Sequence, residues 1–339
     1  MKPLPFELPA VICPDGGASA RQQENKDADE KNPDDHLCSL FAPSAPDARR
    51  GGVISHSVLP ELPFAIRFSG FESVYRQKMK ELAKEGATFF HIETPGSLLE
   101  ARAALLAAKK SFSGPAAISF KVDDEGRSNF GSDAMALYVI SEAMGAAAFG
   151  LCSDGPMDAL SEVFARIAPY ARIPLMVFGD GAAVLELLKK IPQAGLVLCK
   201  KDAGAEAASS LLREMKPPRF LDRDPELILA ASGKEAFFVD ATIDFLQEVE
   251  CSSDFPEDIL RAEIEGGGLK IPVRTEDDVD LLEQYQYMIN QPVCFCSESP
   301  ALLEAALIAY NGRAFLDGTC GIDGPYLKYL SDFYGLIIL

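Results

Sequence analysis

Short, uniformly apolar runs alternate with amphipathic segments along most of the chain. The runs lack polar alternation, which is typical of strands buried on both faces of a parallel sheet. They occupy residues 88–94, 116–122, 146–152, 173–178 and 195–199. Apolar positions at helical spacing fill the intervals at residues 74–84, 98–110, 133–144 and 157–167. Strand followed by helix, repeated with short connections, predicts an α/β protein whose commonest long form is a (β/α)8 TIM-type barrel.

The pattern changes at two places. Residues 20–35 are polar and acidic with no apolar period, which indicates a solvated loop. Paired prolines in residues 215–220 interrupt the series, and a second strand and helix series follows at residues 235–242, 267–273, 291–296 and 312–319. We therefore predict a barrel at residues 1–215 and an appended C-terminal α/β region at residues 216–339, with one enlarged barrel as the alternative.

Composition narrows the class of partner. The chain has 339 residues, 48% of them hydrophobic, so it can bury a large core. Its net charge of −19 and the lack of a basic cluster argue against a nucleic-acid partner. No apolar run reaches the roughly 18 residues of a membrane span, and the proline-rich N-terminus lacks a signal-peptide core. These features predict a soluble, cytoplasmic protein.

The eight cysteines have no framework spacing, which favours reduced thiols over disulfides. With three histidines in the chain, a metal site would depend on sulfur and oxygen ligands. Cys152 stands out because it ends an apolar run and is followed by a turn, "AFGLCSDGP". It is either a thiolate ligand at the end of a barrel strand or a small apolar residue that packs there.

Four segments, in this order, resemble a known family: "FFHIETPGSLLEARAALLAAKK", "ISFKVDDEGRSNFGSD", "AAAFGLCSDGP" and "RIPLMVFGDGA". Together with their spacing across residues 71–205, they resemble the homocysteine S-methyltransferase family. The stretch "ICPDGGAS" at residues 12–19 is similar to the opening strand and turn of that family. The second strand and its long helix are compressed into residues 35–52, so the expected barrel is shortened near the N-terminus.

The resemblance implies a zinc ion held by three cysteine thiolates, which accepts the sulfur of homocysteine as its fourth ligand. Cys152 falls on the first zinc cysteine, but the family's Cys-Cys pair falls on Asp202 and Ala203. One substitute is Cys199 together with Asp202 as an oxygen ligand. A second is the pair Cys294 and Cys296, which point the same way on a strand. A third is Cys320, in a segment that resembles the family's Cys-Cys turn.

The resemblance also implies the substrate contacts. Asp15 and Gly16 match the turn that contacts homocysteine, and Glu93 matches the glutamate that holds the ammonium group of the amino acid. The alternatives are an ordinary Asp-Gly turn and a helix-capping carboxylate. His91, two residues before Glu93, is interpreted as a buried core group. No side chain is assigned a catalytic role.

The leading hypothesis is therefore a methyltransferase of methionine biosynthesis, which moves a methyl group to the sulfur of homocysteine or a related thiol. The methyl donor cannot be named from the sequence. The alternative is an accessory barrel that lost the zinc site and binds a small amino acid, a folate or a corrinoid-protein partner without catalysis. Residues 291–319 also resemble the closing unit of pterin-binding barrels, and we interpret them as a structural βαβ unit.

Overall fold

An eight-stranded closed barrel forms the N-terminal part of the molecule. The computed structural model describes residues 8, 10–14, 37–42, 45–55, 67–179, 181–198, 205–245 and 247–339. The barrel strands are β1 (Ala10–Pro14), β2 (Leu37–Ala42), β3 (Ala45–Ser55), β4 (Phe90–Thr94), β5 (Ala116–Lys121), β6 (Ala148–Cys152), β7 (Leu175–Phe178) and β8 (Ala194–Leu198). The helices of this part are α1 (Phe68–Lys84), α2 (Leu98–Ser111), α3 (Ala134–Ala143), α4 (Met157–Ile167), α5 (Gly181–Lys190) and α6 (Ala205–Glu214).

The predicted barrel is confirmed, with one difference at its shortened end. Strands β3 to β8 run parallel in chain order, and β8 closes the barrel by pairing parallel with β1. Strand β2 instead runs antiparallel to both β1 and β3. Only two residues separate β2 from β3, whereas a parallel crossover needs a dozen or more. The compressed segment therefore forms a hairpin in place of a regular strand and helix unit.

The barrel interior is filled at its amino-terminal end and open at the other. Apolar side chains from six strands, together with the ring of Phe89 just before β4, pack in the interior: Ala10, Ile12, Val53, Phe89, Ala117, Ala148, Met176, Leu196 and Leu198. The outer faces of the strands pack against the helices in a second, larger core. Because the interior is closed below, any ligand has to enter at the carboxyl ends of the strands.

Helix α2 shows how local sequence fixes the elements around the site. Ser97 is its N-cap, and the Ser97 hydroxyl accepts a hydrogen bond from the backbone N–H of Glu100. Gly96, just before the cap, has φ +108°, a conformation that favours glycine. The turn from β4 into α2 is thus closed without a contribution from the side chain of Glu93.

The C-terminal α/β region contains a parallel sheet of five strands in sequential order. Its strands are β11 (Gln247–Glu248), β12 (Leu269–Pro272), β13 (Val293–Cys296), β14 (Phe315–Leu316) and β15 (Ile337–Ile338), and its helices are α7 (Phe255–Glu265), α8 (Glu276–Tyr285), α9 (Pro300–Ala309) and α10 (Gly324–Tyr334). Strands β9 (Ile228–Ala231) and β10 (Ala236–Val239) form an antiparallel hairpin. The run at residues 235–242 therefore belongs to this hairpin and not to the parallel series.

The two regions share one continuous hydrophobic core. Arg102 of α2 is 1% exposed, and its guanidinium donates hydrogen bonds to the backbone oxygens of Leu307 and Ile308 near the end of α9. Helix α6 ends at Glu214 and β9 begins at Ile228, so the predicted boundary at 215/216 falls in the connection. The division into two domains stays a prediction. In the part of the chain described above, no helix is long and apolar enough to cross a membrane.

Candidate functional site

A cavity of about 370 Å³ opens at the carboxyl ends of strands β4 to β8. In parallel barrels this end carries the functional site. The lining residues follow the strand ends and the loop after β6: Glu93, Thr94, Pro95, Ser119, Lys121, Gly150, Leu151, Cys152, Ser153, Asp154, Met176, Phe178 and Leu198. The cavity has an apolar floor and three charged groups toward the mouth, which suits a small polar molecule with an apolar portion.

Glu93 and Ser119 form one layer of this cavity because they are register partners on β4 and β5. The side chain of Glu93 is 38% exposed, so its carboxylate meets solvent in the cavity. The neighbouring Thr94 hydroxyl donates to the backbone oxygen of Ser119, at 3.3 Å, and ties the two strand ends together. Since Ser97 caps α2, the carboxylate of Glu93 is available to a ligand.

Cys152 and Lys121 form the next layer toward the mouth, as register partners on β6 and β5. The Cys152 thiol is half-buried and donates to the backbone oxygen of Phe120, at 3.5 Å. Burial, together with the negative charge of Glu93, raises the pKa of Cys152 to about 11, and the positive charge of Lys121 opposes this rise. Cys152 by itself is therefore a neutral thiol at pH 7.

An ion pair crosses the mouth of the cavity between Lys121 Nζ and Asp154 Oδ2, 2.6 Å apart. The hydrogen bond to Asp154 raises the pKa of Lys121, so the amine stays charged. Both side chains are largely exposed, and such a pair contributes little to stability. Its importance is local, because Lys121 is the one cation among the described residues that line the cavity.

His91 lies one strand repeat below Glu93 and is fully buried. Its Nε2 atom is 2.9 Å from Ser119 Oγ, and its Nδ1 atom is 3.7 Å from Glu93 Oε1. The interpretation of His91 as a core group agrees with this burial. Ser119, Lys121 and Asp154 were not singled out by the sequence, although Lys121 is the charged residue that interrupts the apolar run of β5.

The other predicted site residues are placed as follows. Asp15, Gly16, Cys199 and Asp202 lie outside the described residues, so their assignments stay predictions. Cys320 is buried between β14 and α10 of the C-terminal region and neighbours Cys296. The structure thus brings Glu93 and Cys152 to one cavity and places Cys320 at the C-terminal sheet.

The predicted three-thiolate zinc site can be compared with the donors present. Within the described stretches of the chain, no three His, Cys, Asp or Glu side chains are placed to hold a metal ion together. Cys152 is the one thiol among the described lining residues. These residues by themselves do not fit a zinc site of the family type, and we derive no step through a metal.

The fold and cavity define a barrel protein with a candidate small-molecule site at the carboxyl ends of its strands. Residues 49–209 match the family model described as homocysteine S-methyltransferase. Over these residues the chain is similar to the homocysteine S-methyltransferase family. The predicted resemblance to this family is thereby confirmed for slightly less than half of the chain.

Solved structures give weaker similarities. The apo form of the homocysteine methyltransferase MmuM from Escherichia coli is 16% identical over 48% of this chain and 62% of that chain, with a TM-score of 0.39. The oxidised form of MmuM is 17% identical over 44% of this chain and 52% of that chain, with a TM-score of 0.36. The match thus spans less than two thirds of either structure. No curated protein matches the chain.

The raised pKa of Cys152 leads to a prediction for its reactivity. Alkylation of Cys152 by iodoacetamide, followed by mass spectrometry of its peptide, should accelerate about tenfold for each pH unit between 7 and 10, because the thiolate fraction rises throughout that range. Glu93→Gln should move the profile to lower pH, and Lys121→Met should move it to higher pH. An alkylation rate that levels off below pH 9 in the unsubstituted protein would contradict the raised pKa of Cys152.

Proposed function

We propose that this protein transfers a methyl group to the sulfur of homocysteine, giving methionine. The observation that carries the proposal is the cavity at the barrel end, which joins Glu93, Lys121 and Cys152 inside the segment that matches the family model. An anionic group, a cationic group and an apolar floor are the elements that a zwitterionic amino acid with a thioalkyl side chain requires.

Each charged group has a role in binding. Glu93 accepts hydrogen bonds from the ammonium group of the amino acid, as the family resemblance implies. Lys121 faces the same cavity, and its amine can exchange Asp154 for the substrate carboxylate, because both side chains of that ion pair are largely exposed. The thiol-bearing side chain of homocysteine then extends over Gly150, where a residue larger than glycine would collide with Met176. Binding at two charges fixes the direction in which the sulfur points.

The transfer itself is a displacement at the methyl carbon. The sulfur of homocysteine forms the new S–CH3 bond while the bond between methyl and donor breaks, and the donor keeps that electron pair. The thiol proton passes to solvent before the attack. The cavity of about 370 Å³ exceeds the size of a small amino acid, so the methyl group of a donor can enter from the mouth. Orientation and proximity are what the described residues contribute.

Several finer expectations belong to this proposal. Zinc binding by Cys152 with Cys199 and Asp202 stays a prediction that elemental analysis of the protein and of Cys152→Ser would test. A folate or a corrinoid-protein partner as the source of the methyl group is likewise a prediction. The proposed substrate and the scattered cysteines favour a place in methionine biosynthesis, in the reducing cytoplasm.

The test is product formation. The purified protein is incubated under reducing conditions with L-homocysteine and donors whose methyl group is deuterated: a methylsulfonium amino acid, a quaternary ammonium betaine and a 5-methylated reduced folate. We expect deuterated methionine from at least one donor, and a loss of that product in Glu93→Gln. Binding of L-homocysteine without any labelled methionine would instead support the accessory-protein alternative.

A further inference from the structure

The fully buried imidazole of His91 requires an explanation, because a polar ring in a barrel interior costs free energy unless its nitrogens have partners. The register partners of His91 on the adjoining strands are Val53 and Ala117, both apolar. Neither neighbour offers a side-chain hydrogen bond. The side chains that can form hydrogen bonds with the ring therefore lie in the layer above it, which contains Ser119 and Glu93.

The two ring nitrogens have different surroundings. His91 Nε2 lies 2.9 Å from Ser119 Oγ, within hydrogen-bond distance. His91 Nδ1 is buried and has no hydrogen-bond partner in the structure, while Glu93 Oε1 stands 3.7 Å away. That separation is longer than a hydrogen bond, but a small rotation of the partly exposed Glu93 side chain closes it.

Burial lowers the pKa of His91, and the charge of Glu93 opposes this only in part, so the ring is neutral at pH 7. A neutral imidazole has one N–H donor and one acceptor nitrogen. A proton on Nε2 would turn the lone pair of Nδ1 toward the carboxylate of Glu93. A proton on Nδ1 points at that carboxylate, and Nε2 then accepts from the freely rotating hydroxyl of Ser119. The second tautomer satisfies all three groups.

The order Ser119, His91, Glu93 resembles a nucleophilic triad, but the geometry does not fit that role. The histidine of such a triad passes a proton to the leaving group, so it has to reach the substrate. His91 is completely buried, whereas Glu93 faces the cavity. The three residues are therefore arranged to orient the carboxylate of Glu93 and not to activate the hydroxyl of Ser119.

We infer that His91 is a positioning residue for Glu93: its Nδ1–H, held in that tautomer by the hydroxyl of Ser119, orients the carboxylate toward the ligand in the cavity. A charge-assisted hydrogen bond of this kind is stronger than a neutral one and fixes direction as well. The identity of the ligand's cationic group as the ammonium of homocysteine rests on the proposed function. The tautomer of His91 does not depend on it.

The first test therefore requires no ligand. The protein is labelled with 15N-histidine, and its ring nitrogen resonances are recorded at pH 7. The chain has three histidines, so the loss of one set of signals in His91→Leu assigns them. We expect the neutral form of His91 protonated at Nδ1, and a shift of that signal in Glu93→Ala. A ring protonated at Nε2, or charged at pH 7, would overturn the inference.

The second test uses two variants that each keep one nitrogen. The amide nitrogen of His91→Asn replaces Nδ1, whereas that of His91→Gln replaces Nε2 and still reaches Ser119. Calorimetric titration with L-homocysteine should give affinities within about threefold of the original for His91→Asn and about tenfold weaker for His91→Gln. Equal affinities in both variants would overturn the inference. If the unsubstituted protein binds no homocysteine, the proposed function fails, and the tautomer measurement still decides the role of His91.

Discussion

Replacing Glu93 with glutamine is expected to weaken the binding of L-homocysteine by at least about tenfold. Glutamine keeps the size of the side chain and removes its charge, so the ammonium group loses a charge-assisted hydrogen bond inside a partly desolvated cavity. Bonds to charged groups contribute about 1.5–3 kcal/mol, which corresponds to roughly ten- to a hundredfold in affinity. Isothermal titration under reducing conditions measures the effect.

A matched control separates a specific contact from a general loss of charge. Asp154→Asn also removes one carboxylate from the cavity lining, but this side chain is 86% exposed and is paired with Lys121. We expect Asp154→Asn to change the affinity by less than about threefold, since exposed charges interact weakly. Equal losses in the two variants would mean that Glu93 has no particular role.

The second large effect concerns stability. Arg102→Ala is expected to lower the free energy of unfolding by about 3 kcal/mol, because it removes a large buried side chain and leaves backbone oxygens of α9 without their donors. The guanidinium also lies over the ring of Phe68, 5.6 Å from its centroid. Urea unfolding followed by circular dichroism gives the change.

Lys109 provides the control on the same helix. Its amine also reaches the C-terminal region, where it donates to the backbone oxygen of Asp332 and lies near the ring of Phe333, but that contact is at the surface. Lys109→Ala should therefore cost less than about 1 kcal/mol. If Arg102→Ala were no more destabilising than Lys109→Ala, the buried guanidinium would not hold the barrel and the C-terminal region together.

The parallel part of the barrel was predictable because strands covered on both faces are uniformly apolar, and the helices between them have regular spacing. The closure of the barrel by its three N-terminal strands was not predictable. Strand β3 includes Arg49, Arg50 and two glycines, a composition that favours a loop when taken alone. Its place in the barrel is set by pairing with β2 and β4, which local sequence does not encode.

The candidate site was partly predictable for a similar reason. Glu93 and Cys152 end apolar runs, and the carboxyl ends of parallel strands meet at one edge of a sheet. The partnership of Lys121 with Cys152 depends on strand register, and the contact of Lys121 with Asp154 depends on the conformation of a loop. The alternation of side chains along a strand did indicate that His91 and Glu93 share a face, but not that Ser119 would lie beside them.

In the proposed complex, the amino acid fills the barrel cavity beside Cys152, with its charged groups on Glu93 and Lys121 and its side chain over Gly150. The most direct test is protection of Cys152 from iodoacetamide at pH 9 by L-methionine, the expected product, which has no thiol of its own. Cys251 in the C-terminal region, another half-buried cysteine, is the control within the same sample. Saturating L-methionine should slow alkylation of Cys152 about tenfold or more and leave Cys251 unchanged. Equal alkylation rates at Cys152 with and without L-methionine would contradict binding of the amino acid in this cavity.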